Sequence, residues 1–99
     1  MVIEVCRSDI YTRRIARLDD DRTRARIEIR IYRLSLGNSG DAKSVGDGVS
    51  ELRIDYGPGY RVYFTRQGKS LVILLCGGDK RTQSRDIANA KALARQLKE

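Results

Sequence analysis

Residues 51–64 read ELRIDYGPGYRVYF, and the fold turns on how this stretch pairs with itself. Apolar and polar residues alternate on both sides of Gly57-Pro58-Gly59. Alternation with a period of two marks a half-buried strand, and a Gly/Pro cluster between two such runs marks a hairpin. Side chains directly opposed across a hairpin share a face. Setting Arg53 opposite Arg61 places Leu52 against Val62 and Ile54 against Tyr60. Leu52, Ile54, Tyr60, Val62 and Phe64 then form one apolar face. Glu51, Arg53, Asp55, Arg61 and Tyr63 form the other, a wet one. A slip of one residue mixes the two sets. The segregating register needs an odd-length loop, which fits a three- or five-residue turn around Pro58. Like charges directly opposed are unfavourable in a sheet, and an anion between the two arginines would relieve that cost.

Working outward, a strand over about 48–55 and one over about 60–66 flank the turn, and residues 43–46 lead into the first. Gln67-Gly68 turns into SLVILLC, residues 70–76, whose unbroken apolar run predicts a strand buried on both faces. Gly77-Gly78 is expected to break it. Thr82 or Ser84 can cap a last helix carrying the stripe Ile87, Ala90, Ala94 and Leu97. Toward the N-terminus, residues 21–36 contain no turn signal. Ile27, Ile29 and Ile31 alternate as in a strand, but Ile27, Ile31 and Leu34 also fall at helical spacing. Sixteen residues are long for a strand and ordinary for a helix, so a helix is expected, with Asp19-Asp20-Asp21 at its positive end. Its second stripe, Ala25, Ile29, Tyr32 and Leu36, is either further core or a docking surface, and core is the preferred reading. Residues 2–6 read as a strand. A helix over about 9–18, capped by Ser8 or Asp9, places Ile10, Arg14, Arg17 and Leu18 on one face. The resulting order is βααβββα, an α+β class, in one domain over 1–99.

The chain has 99 residues, 40% apolar and 33% charged, which describes a soluble globular protein rather than a disordered one. No apolar run approaches ~18 residues, so no membrane span is expected. The first residues lack the pattern of a secretory signal, and a cytoplasmic location follows as the expectation. The net charge is +7, with nine arginines in residues 7–33. Arginine forks match phosphate geometry, so a polyanionic partner fits this balance. Cys6 and Cys76, on predicted strands, read as two buried small hydrophobes. Histidine is absent, which removes the commonest metal ligand and the commonest base at neutral pH. No metal or cofactor is expected.

The blocks LGNSGDAKSVGDGVSELRIDYGPGYRVYF and LLCGGDKRTQSRDI closely resemble the killer proteins of bacterial addiction modules. The resemblance is to the phage-derived, HigB-like branch of the RelE/ParE toxin superfamily, and it runs from about Arg24 to Ala90. It implies a mainly antiparallel, twisted sheet packed against helices. It also implies a toxin role, a cognate antitoxin of the helix-turn-helix kind encoded by the adjacent gene, and, in RelE-like members, cleavage of mRNA on the ribosome. Other members of similar shape poison gyrase.

Metal-free RNA cleavage proceeds by attack of the ribose 2′-OH on the adjacent phosphate, and the transition state gathers negative charge on the phosphate oxygens. Fixed cations aimed there are the main lever. Arg61 matches the GYR arginine that sits on the scissile phosphate in related toxins. Arg53 shares its face by register, and Lys80 follows the buried strand at the start of a helix, itself an anion site. Lys43, Arg81 and Gln83 are candidates for holding RNA. Arginine does not deprotonate, so the base falls among Glu51, Asp55, Tyr63 and Lys80. The expected function is that of a ribosome-dependent mRNA endoribonuclease toxin. The alternatives are a non-enzymatic gyrase-binding toxin and a degenerate nucleic-acid-binding member.

Overall fold

Arg53 does stand opposite Arg61, Leu52 opposite Val62 and Ile54 opposite Tyr60 in the computed structural model, which describes residues 2–97. The chain runs β1 (Glu4–Arg7), α1 (Asp9–Ala16), α2 (Asp21–Ser35), β2 (Ala42–Gly46), β3 (Val49–Ile54), β4 (Tyr60–Gln67), β5 (Leu71–Asp79), a 3-10 turn (Lys80–Thr82) and α3 (Gln83–Leu97). The five strands form one sheet in the order β1-β5-β4-β3-β2. β1 lies parallel to β5, and the other three pairings are antiparallel. The α+β class and the mainly antiparallel sheet are as the sequence led one to expect.

One sheet face carries the larger core. Leu52, Ile54, Val62 and Phe64 meet Ile27, Ile31 and Leu34 of α2 and Tyr11 of α1 there. Asp20 begins α2, accepting a hydrogen bond from the Arg22 backbone N–H, and Ser8 begins α1 in the same way toward Tyr11. Such caps satisfy backbone donors that a helix start leaves unpaired. The other face is covered by α3, whose Ala90 and Ala94 pack on Val49, Tyr63, Leu75 and Cys76. Alanine there lets the helix lie close to the sheet. A register shift where Phe64 pairs with Leu74 but Tyr63 with Cys76 inserts Leu75 as an extra residue, so Leu75 and Cys76 both face α3.

Five expectations are corrected. β2 is an additional strand, made of an edge segment that is mostly exposed and does not alternate. Its hairpin to β3 turns at Asp47-Gly48, both with positive φ (55° and 76°). Gly77-Gly78 does not break β5, which runs through both to Asp79. These glycines serve close approach, because a methyl at Gly78 would overlap the Asp86 carboxylate and the Thr82 hydroxyl of the α3 segment. The second stripe on α2 is surface, with Ile29 51%, Tyr32 64% and Leu36 51% exposed and Ala25 exposed as well. α2 meets the core through its first stripe, Ile27, Ile31 and Leu34. On α1 the buried residue is Tyr11, flanked by Ile15 and Leu18, while Ile10 faces out. Cys6 is exposed on the edge strand β1, and Cys76 is buried as expected.

Candidate functional site

Two rows of residues run across the face that carries α3. In one, Glu51 pairs with Lys43 on β2 and with Tyr63 on β4, which pairs with Cys76 on β5. In the next, Arg53 pairs with Arg61, which pairs with Gly78. The helix covers the first row and, of the second, only Gly78. The expected wet face is therefore wet only in part. Glu51 and Tyr63 are 2% and 0% exposed, in the interior.

The uncovered row opens into a groove of about 390 Å³. Arg53, Arg61 and Lys80 supply its cations, the Gly57-Pro58-Gly59 turn forms one wall, and Asp41 and Asp55 supply carboxylates. Gly57 and Gly59 have φ of 58° and 81°, the left-handed region that glycine enters without strain. A Cβ at Gly59 would lie 3.5 Å from the Lys80 Cβ, an ordinary contact. The turn and Lys80 thus stand side by side in the lining of the groove.

Each arginine is held differently. Arg53 forms an exposed ion pair with Asp41 at 3.0 Å, supported by the backbone hydrogen bond from Arg53 N–H to the Asp41 carbonyl. Arg61 is mostly buried, with its Nε 3.7 Å from Glu51 Oε1. That separation is an ion pair without a hydrogen bond, and Arg61 Nε is buried with no hydrogen-bond acceptor. Glu51 Oε2 accepts from the Tyr63 hydroxyl at 3.1 Å and from Gln83 Nε2 at 2.8 Å. The buried carboxylate is thus fixed by two donors, one from β4 and one from the first residue of α3, and it faces the inner edge of the Arg61 guanidinium. Burial, then the adjacent Glu51 charge, raises the Tyr63 phenol well above its ordinary value, so it stays protonated.

The structure brings together Arg53, Arg61, Lys80 and Asp55 of the expected site residues. It places Glu51, Tyr63 and Gln83 behind them as one hydrogen-bonded group. Lys43 is exposed on β2, in the Glu51 row and outside the groove lining. Arg81 turns to Asp79 at 3.1 Å, and its hydrogen bond holds the Asp79 carboxyl below the usual range. Asp79 caps the 3-10 turn by accepting from the Arg81 N–H, so this helix end already has its anion, contrary to the expected open anion site. Asp41 was missed. It lies just before β2, the strand whose pattern the sequence hides. Asp55, by contrast, makes no ion pair or side-chain hydrogen bond among the described residues. No helix among them is long and apolar enough to cross a membrane, and they gather no group of three metal-ligating side chains.

The model of the phage-derived protein Gp49-like family (DUF891) matches residues 16–99. Over 97 residues the chain is 52% identical to an uncharacterized protein of Haemophilus influenzae, with 98% of each chain covered. This family is that of the HigB-like, RelE-type addiction-module killer proteins, and membership points to the toxin of a toxin–antitoxin module with an antitoxin as partner. The match takes in both of the blocks that carry the sequence resemblance and every side chain of the groove, and the chain belongs to the phage-derived, Gp49-like family.

Proposed function

We propose that this toxin is an endoribonuclease that cleaves mRNA positioned on the ribosome, using the Arg53–Arg61–Lys80 groove and no metal. The observation that carries the reading is the convergence of three cations from β3, β4 and the β5 end on one open groove, with Arg61 steadied from behind by a buried carboxylate. The scissile phosphate lies among them. The 2′-oxygen forms a bond to phosphorus as the bond from phosphorus to the 5′-oxygen breaks. Asp55, the unpaired carboxylate on the rim, takes the 2′-OH proton. Lys80 gives a proton to the departing 5′-oxygen. The products are a 2′,3′-cyclic phosphate and a 5′-OH end. Charge on the phosphorane oxygens is met by Arg53 and Arg61, and a single well-aimed donor in such a site contributes roughly 3–4 kcal/mol. Glu51, Tyr63 and Gln83 act through Arg61 as positioning residues.

The test is induced expression followed by mapping of cleaved mRNA ends, with and without active translation. Cyclic-phosphate and 5′-OH ends that appear only during translation are the expected result. The purified protein alone should cleave naked RNA poorly. Cleavage that requires an added divalent metal would sink the metal-free mechanism. Growth arrest with intact mRNA and broken DNA would move the target to gyrase.

A further inference from the structure

A second cleft, of about 520 Å³, lies between α1 and α3, outside the groove described above. Its rim carries four arginines: Arg13, Arg14 and Arg17 from α1 and Arg85 from α3. Its one carboxylate, Asp86, is 7% exposed and accepts a hydrogen bond from Thr82. Arg13, Arg14 and Arg17 form no ion pair among the described residues, and Arg85 reaches only 3.9 Å from Asp86. Three of these cations sit at the C-terminal end of α1, where the helix dipole favours them. The dipole cannot explain Arg85. It stands in the first turn of α3, the end that disfavours a cation, and it adds positive charge across from the other three. Between the two ranks the lining mixes apolar Ile10, Ala92 and Leu93 with polar Thr82, Asn89 and Gln96. Ile10 is 45% exposed, and Leu93 and Cys76 continue the surface inward.

We infer that this cleft is a docking site for an acidic amphipathic segment of a partner protein, the antitoxin, whose carboxylates meet the four arginines and whose apolar side chains cover Ile10 and Leu93. The identity of the partner rests on the toxin reading of the family; the chemistry of the site does not. Charge complementarity alone would equally admit a nucleic-acid strand. The lining decides between them. No aromatic side chain lines the cleft, so bases have nothing flat to stack on, whereas aliphatic side chains of a peptide find Ile10 and Leu93. The cleft shares no lining residue with the Arg53–Arg61–Lys80 groove.

The experiment measures binding of the full-length chain to the protein encoded by the adjacent gene. Arg13→Glu/Arg17→Glu and Arg85→Gln variants are compared with Arg53→Ala, all checked for wild-type circular dichroism. Because charge reversal can disturb folding, Arg13→Gln/Arg17→Gln serves as the milder pair. The cleft variants should lose affinity by about tenfold or more, with growth inhibition by the chain alone unchanged, while Arg53→Ala binds as wild type. Binding that persists undiminished in folded cleft variants overturns the site and leaves the toxin reading standing. Absence of any binding by the wild-type chain overturns the partner assignment and, with it, the addiction-module reading. A cleft-dependent loss of affinity for a single-stranded RNA oligonucleotide, with the protein partner unaffected, assigns the cleft to nucleic acid instead.

Discussion

The Arg53–Arg61–Gly78 row and the Glu51–Tyr63–Cys76 row are neighbours on the same sheet face, two residues apart along each strand. One opens to solvent as a cationic groove. The other is sealed under α3 with a carboxylate and a phenol inside. Chemistry of side chains does not separate them, because each row contains charged and polar residues. What separates them is where α3 lies. It packs Ala90 and Ala94 against the second row, and its start, with Thr82 and Asp86 close against Gly78, lies at the end of the first. In the proposed mechanism the covered row is the support and the uncovered row the working surface. Burial of Glu51 is tolerable because Tyr63, Gln83 and Arg61 surround it, and it places a fixed negative charge behind a cation that must not move.

That division of labour can be broken at four points. The largest effect is expected for Glu51→Ala. It leaves the Tyr63 hydroxyl, the Gln83 amide and the buried end of Arg61 without their partner, a loss of about 3–5 kcal/mol in stability. Urea unfolding should show it, and toxicity should fall further than folded protein does, because Arg61 loses the carboxylate that positions it. A Glu51→Ala chain as stable as wild type would show that the covered row supports nothing.

Arg61→Ala should cost stability too, but its loss of activity should exceed its loss of folded protein. Glu51 keeps two neutral hydrogen-bond donors but loses its cation while buried, so melting should fall, by about 3 kcal/mol. Loss of a transition-state contact costs about 3 kcal/mol of barrier, on the order of a hundredfold in rate, read from mRNA cleavage and growth inhibition. Arg61→Lys, which keeps the charge without the planar fork, sharpens the result by showing how much depends on two-pronged contact. Full toxicity in well-folded Arg61→Ala would remove the groove from the mechanism.

Gly78→Ala tests the junction of the two rows. The added methyl forces α3 away from β5, at about 1–3 kcal/mol of stability. Displacement of α3 also loosens Gln83, so activity should fall beyond the loss of folded protein.

Tyr63→Phe is the mildest change. It deletes one buried hydrogen bond, about 1 kcal/mol. Its clearest reading is alkaline. The folded state raises the Tyr63 phenol above 10.0 and burial pushes the Cys76 thiol from 9.0 up to about 12. Both groups hold their protons longer when folded than when unfolded. Their contribution is complete below the unfolded values and is lost as pH climbs, from about 9 upward for Cys76 and above 10 for Tyr63. Melting followed over that range should fall with pH, less steeply in Tyr63→Phe.

The hairpin register was legible because a slip would have mixed two otherwise clean sets of side chains, and it set Arg53 beside Arg61 correctly. Residues 21–36 were legible as a helix by length. β2 was not, since Ala42–Gly46 lies exposed at an edge and carries no alternation, although Asp47-Gly48 is a turn signal that pointed to it. Asp41 went unseen with it. Alternation also reports which residues share a face, not what lies over that face. The burial of Glu51 and Tyr63 depends on an alanine-bearing helix that begins only at Gln83, and no local pattern encodes that contact.

β1 is the first strand made and the last to find its place. Residues 4–7 pair in parallel with residues 71–74, so the sheet edge cannot close until most of the chain exists. Lys80, Gln83 and the whole of α3 come later still. During synthesis from the N-terminus the two arginines of the hairpin emerge well before the lysine beside them and the helix behind them. Contacts of such long sequence separation also form slowly, because loop closure precedes any gain. The groove is therefore a late product of translation. A chain cut short between residues 61 and 80 carries both arginines without Lys80, Gln83 or α3, so the proposed site is incomplete in any such truncation.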